Sequence, residues 1–314
     1  MKIFLVGGCG FIGSHLVDKL IEQGHTITIY DNLSVGKKEF IEKHLNSWKA
    51  NLIVNDVLKF DNLKYAMQEH DVVFHFSANP EAIKGLTNTR LDLEQGTIAT
   101  YNVLEAARLN GIKDLVFASS GTVYGNTEKS CQENDLGSLP ISLYGASKMA
   151  GEALISAYTE CFGLKATICR FGNVVGGKRA THGAIYDFCN KLKAHPEYLD
   201  VLGDGSQNKP YVYVLDIVDA VLFAWKNGKG NPKIYNIAPP DTTSVQTIAE
   251  MVVANSPHPK AEIIYSGGKQ GWKGDVAVSK LDMTKLKKLG FSLNYTSNQA
   301  VEKTIKEIVK EVFN

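Results

Sequence analysis

Residues 7–13 read Gly7-Gly8-Cys9-Gly10-Phe11-Ile12-Gly13, between an apolar run at 3–6 and a helical pattern at 11–23. A strand entering a helix through glycines at this spacing has few uses. Without Cβ atoms the chain turns tightly, lets a pyrophosphate approach its backbone and presses helix against strand. The first helical amides and the helix dipole then face the phosphates. Alone, such a stretch also fits a bare turn. Asp31 adds the second half of the pattern, closing the next apolar strand 18 residues after Gly13. A carboxylate there holds the two hydroxyls of an adenosine ribose and repels a 2′-phosphate. Together these residues predict an NAD site around Gly7, Gly10, Phe11, Ile12, Gly13, Asp31 and Asn32.

The first half of the chain keeps this rhythm. Short apolar runs at 3–6, 26–30, 52–55, 72–76, 115–118 and 166–170 alternate with helical patterns at 11–23, 37–44, 62–69, 93–109 and 144–161. Strands alternating with helices predict right-handed crossovers and an α/β fold, a Rossmann-type doubly wound parallel sheet covered on both faces. After about Gly172 the rhythm changes. Helical patterns at 185–194, 216–226, 245–253, 280–289 and 297–312 mix with short strands near 201, 211–214 and 233–237. We expect a cofactor domain at 1–172 and a smaller C-terminal α/β substrate lobe at 173–314, with a soft boundary that the chain can cross back. Trp225 and the apolar stripe at 217–224 read as core.

Charge narrows the partners. Lys plus Arg total 34 against 33 for Asp plus Glu, a net charge of +1, which argues against a polybasic nucleic-acid binder or an acidic tail. No apolar run approaches the ~18 residues of a bilayer span, so no membrane partner is expected. The four-residue apolar run after Lys2 reads as a strand, not a leader. Five scattered cysteines without a C-x-x-C pair point to free thiols in a reducing, cytoplasmic setting. The eight histidines lack metal-ligand spacing, so no metal is expected. There is no phosphate loop of the G-x-x-x-x-G-K type and no nucleophile elbow.

Two further clusters sit where parallel strands end, the rim at which open α/β sheets bind ligands. Asp56-Val57 follows the third strand and is expected at the adenine, and Phe76-Ser77-Ala78 follows the fourth and is expected at the cofactor. Both also fit ordinary loop residues. Ser119-Ser120 ends the fifth strand, and Tyr144 and Lys148 lie one helical turn apart on one face. An ammonium together with a bound nicotinamide cation would pull a phenol down from ~10 towards neutrality, where it can act as a general base. Ser120 would bond the same substrate oxygen. Taken singly, Tyr-x-x-x-Lys also fits an amphipathic helix with a snorkelling lysine.

With these residues assembled, the chain resembles the extended short-chain dehydrogenase/reductases. The likeness rests on Gly7-x-x-Gly10-x-x-Gly13, Asp31, Ser119-Ser120-Gly121-Thr122-Val123-Tyr124-Gly125 and Tyr144-x-x-x-Lys148. Arg170-Phe171-Gly172-Asn173, Tyr211-Val212-Tyr213-Val214-x-Asp216 and Gly274-Asp275 extend it along nearly the whole chain. Within that family it is most similar to the nucleotide-sugar 4-epimerases. The resemblance implies tightly bound NAD and reversible hydride transfer at sugar C4, with UDP-glucose and UDP-galactose as the implied pair. Related endings are UDP-glucuronate epimerisation or decarboxylation and epimerisation of CDP- or GDP-sugars. A catalytically silent NAD-binding protein is the alternative of another class, and such relatives tend to lose the Tyr or Lys.

By the same resemblance Tyr144 is the base, Lys148 lowers its pKa and binds the nicotinamide ribose, and Ser120 assists. Phe171 meets the cofactor. Asn173, His182 and Gly183 meet the diphosphate or sugar, Val201 and Leu202 the base, and Lys209, Tyr211 and Asp275 the nucleotide. A homodimer through helices 93–109 and 144–161 is also implied. The chain departs from the family at four places. Gly121-Thr122 replaces the Asp-Glu pair of 4,6-dehydratases, which ranks that reaction low. Lys209 stands where Arg or Lys is usual and offers a point charge in place of a bidentate fork, Trp272 and Lys273 precede Gly274-Asp275 where an Arg is common, and Gly96 replaces an Asn.

Overall fold

The computed structural model describes residues 1–313 apart from 128, 136 and 137. By its contacts the chain divides into two units, Met1–Val123, Leu143–Arg170 and Val218–Tyr235 in the first, Tyr124–Ser142, Phe171–Ile217 and Asn236–Asn314 in the second.

The first unit is built on strands β1 (Lys2–Val6), β2 (Thr26–Asp31), β3 (Ala50–Val54), β4 (Val72–His75), β5 (Asp114–Ser120) and β6 (Lys165–Phe171). Its helices are α1 (Phe11–Glu22), α2 (Glu42–Asn46), α3 (Phe60–Ala66), α4 (Thr89–Asp92), α5 (Ala99–Leu109) and α6 (Leu143–Phe162). β1 is buried along its length after Lys2, as expected of a strand covered on both faces. β3, β2, β1, β4 and β5 pair in parallel in that order, the doubly wound order predicted from the alternation. The register sets Val6 level with Tyr30 and His75, which brings the ends of β1, β2 and β4 to one rim. Against one sheet face, Leu63, Met67, Val103, Leu104 and Ile155 pack with Phe4, Val73, Phe117 and Ile168 in a continuous core. Each such side chain contributes roughly 1.5–3 kcal/mol by leaving water.

The second unit contains β7 (Asn173–Val175), α7 (Ala184–Ala194), β8 (Tyr198–Val201), β9 (Asn208–Lys209) and β10 (Tyr211–Tyr213). After α8 (Val214–Asn227) and β11 (Lys233–Ile237) come β12 (Thr243–Ser244), α9 (Val245–Asn255), β13 (Glu262–Tyr265), α10 (Thr284–Lys287) and α11 (Ser297–Phe313). β7 pairs with β10 and β8 with β13, both in parallel, and β9 with β12 antiparallel. Helices α7, α9 and α11 bury Ile185, Leu192, Ile248, Val252, Val301 and Ile305 together.

Several elements differ from their sequence reading. Residues 233–237, expected in the second lobe, form β11 and extend the main sheet beyond β6 as its seventh strand. A short apolar strand carries no signal of which sheet it joins; that depends on partners far away in sequence. Residues 218–235 accordingly belong to the first unit. The helix expected at 280–289 shrinks to the single turn α10, because Leu281 bridges Cys131 and Asp282 caps the amide of Thr284. The pattern at 93–109 is a π-helix, Leu93–Ile98, running into α5. At Gly96 a Cβ would overlap the Ser147 hydroxyl of α6, so glycine permits this close approach.

Candidate active site

The glycine turn is shaped by what it must avoid. Gly7 has φ +83°, and a Cβ there would come 2.6 Å from the Ser77 amide nitrogen and 2.8 Å from the Phe76 carbonyl carbon. A Cβ on Gly13 would overlap the Gly7 carbonyl oxygen. At Gly10, by contrast, the added atom would meet only that oxygen, at 3.3 Å. Gly10 is the N-cap of α1 and offers no side chain to its first amides. Phe11 and Ile12 are partly exposed beside it. A bare helix N-terminus reached over glycine backbone is a cradle that fits a pyrophosphate.

Asp31 lies beside this turn, 9% exposed. Its Oδ2 accepts from the Cys9 amide and its Oδ1 from the Leu33 amide, each at 2.9 Å. Burial raises its pKa, while the two amides act the other way. Asn32 donates to Asp56 Oδ2 at 2.9 Å, and Asp56 Oδ1 accepts from the Leu58 amide at 2.8 Å. The Val57 carbonyl accepts from Asn102 at 3.1 Å. Residues selected from three separate strand ends therefore form one hydrogen-bonded group, suited to the adenosine half of NAD.

After β4, Ser77 meets His75 Nδ1 at 3.4 Å, and His75 Nε2 meets Thr100 Oγ1 at 3.1 Å. Thr100 in turn donates to the Gly96 carbonyl at 2.5 Å. His75 is 1% exposed, and burial, with Lys148 nearby, lowers its pKa to about 3 from 6.5. The unfolded chain thus binds a proton in this interval that the folded chain excludes. We expect stability to fall as pH drops from 6.5 towards 3, by about 1.4 kcal/mol per pH unit from this group alone. Urea melts should show that slope diminished in His75→Gln; an unchanged slope would assign the acid sensitivity elsewhere.

At the end of β5 the Ser120 hydroxyl accepts from the Thr122 amide at 3.2 Å and from Thr122 Oγ1 at 3.0 Å. With its lone pairs so occupied, its single proton is free to be donated, and its presence lowers the pKa of the Tyr144 phenol. One turn along α6, Lys148 is 4% exposed and donates to the Ala118 carbonyl at 2.7 Å. Its nitrogen stands 5.8 Å from the centre of the Tyr144 ring and 5.0 Å from that of Phe117. Burial lowers the Lys148 pKa to about 8.

The expected acid phenol is not a property of the protein side chains alone. Burial pushes Tyr144 up to about 12 and outweighs the bond from Ser120, and the negative charge of Asp92 adds to the rise. Lys148 is engaged with Ala118 and is itself burdened by burial. A bound nicotinamide ring would add the second cation on which the expected acidification depends.

Behind this group, Arg170 and Glu152 form a buried pair, Nη2 to Oε2 at 2.6 Å and Nε to Oε1 at 2.9 Å. Ser119 donates to the same Glu152 Oε1 at 2.5 Å. Neither this pair nor the buried Asp92 was singled out from sequence. Glu152 lies in the helical pattern at 144–161, where a carboxylate reads as solvated, and Asp92 falls just before the pattern at 93–109.

In the second unit, Lys209 pairs with Asp275 at 2.5 Å, and Asp275 Oδ2 accepts from the Gly271 amide at 3.3 Å. Asn173 stands level with Tyr211 in the β7–β10 ladder. Tyr211 is buried, which raises its pKa above the ordinary phenol value. Phe171 and Val201 are buried, while Leu202 is exposed. His182 meets Thr181 Oγ1 at 3.0 Å, and Gly183, φ +101°, is the N-cap of α7. Lys209 and Asp275, 66 residues apart, are thus brought together, whereas His182 and Gly183 occupy the segment before α7. Among the described residues no group of three His, Cys, Asp or Glu side chains is placed to hold a metal ion. No helix among them is long and apolar enough to cross a membrane.

A doubly wound sheet with a glycine cradle, an acid at the second strand end and a Ser–Tyr–Lys set defines an NAD-dependent enzyme of the short-chain dehydrogenase/reductase type. The chain belongs to the NAD dependent epimerase/dehydratase family, whose model matches residues 3–238. It is 31% identical over 324 aligned residues to the UDP-N-acetyl-alpha-D-glucosaminuronate decarboxylase of Bacillus cytotoxicus, covering 97% of this chain and 96% of that one. It is 28% identical to the UDP-glucose 4-epimerase of Mycolicibacterium smegmatis, covering 97% of each. A crystal structure of a UDP-galactose 4-epimerase superposes with a TM-score of 0.88 at 40% identity, covering 99% of this chain and 100% of that one. The protein is an NAD-dependent epimerase of the nucleotide-sugar epimerase and decarboxylase group.

Proposed function

We propose that the protein interconverts UDP-glucose and UDP-galactose at sugar C4. The reading is carried by Tyr144 and Lys148 one helical turn apart, with the Lys148 nitrogen 5.8 Å from the Tyr144 ring and Ser120 lowering the pKa of that phenol, in the same unit as the glycine cradle. Gly7, Gly10, Phe11, Ile12 and Gly13 hold the pyrophosphate of NAD, Asp31 and Asn32 its adenosine ribose, and Asp56 and Val57 its adenine. Phe76, Ser77, Ala78 and Lys148 would hold the nicotinamide half; Phe171 keeps its cofactor assignment by the family resemblance alone. Bound NAD supplies a hydride acceptor that later returns the hydride, and a cationic ring.

Tyr144 takes the proton of the C4 hydroxyl, Ser120 steadies the same oxygen, and Lys148 offsets the negative charge on the phenolate. The 4-keto sugar then turns about its link to the diphosphate and is reduced from the other face, with Tyr144 returning the proton. The nucleotide must be gripped while the sugar stays free to turn. Lys209, Asp275, Tyr211, Asn173, His182, Gly183, Val201 and Leu202, all in the second unit, supply that grip.

The reading includes a homodimer and a cytoplasmic setting. Exposed Leu93, Ile98, Tyr101, Leu109 and Phe162 on the helical stretches 93–109 and 144–162 support the first; five free cysteines support the second.

A second reading, decarboxylation of a nucleotide uronate after the same C4 oxidation, is favoured by the likeness to the Bacillus cytotoxicus decarboxylase. Product NMR on UDP-glucose, UDP-glucuronate and CDP- and GDP-hexoses separates them. We expect UDP-galactose from UDP-glucose without net change in NAD. Carbon dioxide release from the uronate, with UDP-glucose untouched, would replace epimerisation by decarboxylation.

A further inference from the structure

We infer that Asp92 is a positioning residue for Tyr144 and Lys148: a buried carboxylate, held by Asn79, whose charge governs how readily Tyr144 gives up its proton. The inference rests on the reading of Tyr144 and Lys148 given above. Asp92 is 1% exposed and ends α4, immediately before the π-helix. Asp92 lies in the first turn of a helix that continues through the π-turn into α5, and π-turns inside helices occur mostly at functional sites.

The carboxyl is fixed in place. Its Oδ1 accepts from Asn79 Nδ2 at 3.0 Å. Asn79, itself 6% exposed, is clamped by the Glu81 backbone in both directions, at 3.0 and 3.1 Å. The other oxygen, Oδ2, is buried without a hydrogen-bond partner. It lies over Gly85, where a Cβ would come 2.6 Å from it and 3.5 Å from the Leu143 side chain. Leu143 opens α6 and directly precedes Tyr144. Glycine at 85 is what leaves room for that oxygen at this end of α6.

Burial raises the pKa of this carboxyl, while the Asn79 donor and the nearby Lys148 act the other way and favour its charge. That charge is the informative feature. It acts on Tyr144 and Lys148 in the same sense, favouring the protonated form of each.

Several other charged groups on or near α6 are matched or neutral. Glu152 is paired with Arg170, and His75 is kept neutral by burial. Glu81 with Lys84, Glu94 with Arg90 and Glu105 with Arg108 form pairs on the neighbouring elements. Asp92 thus keeps Lys148 an ammonium and holds the Tyr144 proton until a cationic cofactor offsets its effect.

The pH profile of kcat/KM in Asp92→Asn tests this. Both limbs are expected to move to lower pH, by about one unit. A loss of packing would lower the whole curve without moving its limbs. Asn79→Ala removes the donor that favours the ionised carboxyl and should move the limbs the same way by less. It keeps the test open if Asp92→Asn does not fold. A second readout is the tyrosinate absorbance titration of NAD-loaded protein, taken as the difference from Tyr144→Phe; its midpoint should fall in Asp92→Asn. Unmoved limbs and midpoint in folded variants, or movement to higher pH, would overturn the inference. An active Tyr144→Phe would instead overturn the reading beneath it.

Discussion

Tyr144→Phe is expected to lower kcat by about 10²–10⁴-fold, the usual worth of a positioned acid–base group, while purified protein keeps its NAD. The substitution removes one oxygen and leaves the ring to pack against the same neighbours. Ser120 loses an acceptor, but its hydroxyl can rotate towards other partners, so folding should change little. Initial rates of UDP-sugar interconversion, with cofactor content measured on denatured protein, check both halves. Near-normal turnover would remove the phenol from the mechanism, and loss of NAD would recast Tyr144 as a cofactor anchor.

Arg170→Met should have the largest effect on stability. The guanidinium and Glu152 are only 7% and 10% exposed, and they meet through at least two short bonds. Removing the cation leaves a carboxylate in the interior with Ser119 as its remaining donor in this group. Such one-sided removals cost about 3–5 kcal/mol. Replacing both members by apolar groups, as in Arg170→Met with Glu152→Leu, should return much of that loss. Urea unfolding of the two variants gives the comparison. If the single variant unfolds at the wild-type midpoint, the buried pair is not a stabilising element. Because Glu152 also helps keep Lys148 protonated, the apolar pair is expected to be stable but slower at alkaline pH.

The sheet and its cofactor rim were legible because their signals are local. Gly7, Gly10 and Gly13 follow a strand directly, and Asp31 closes the next one. Spacing alone placed them on adjacent strand ends, where the register confirms them. Ser120, Tyr144 and Lys148 were legible for a similar reason, one strand end and one helical turn. The surroundings that set their proton affinities were not. Asp92 lies just before the helical pattern expected at 93–109, and its burial, with Gly85 and Asn79 against it across a loop, leaves no local signal. Residue types likewise announce an ammonium near Tyr144, but not that it is turned to the Ala118 carbonyl or how much burial opposes ionisation of the phenol. β11 was misplaced because strand propensity does not name a partner. The pair of Lys209 and Asp275 could be assembled only by folding, since no periodicity links positions 66 residues apart.

The order in which the two units are threaded bears on how the molecule can be cut. A fragment ending at residue 172 would possess β1 to β6 but not β11, which shields the outer side of β6. It would also lack Trp225, whose indole donates to Asp114 at 2.8 Å. Such a piece would display an unpaired, apolar border, the kind that recruits further strands and aggregates. Modular exchange at that junction is thereby disfavoured: a chimaera that borrows the cofactor half must also inherit the later stretch that finishes its sheet.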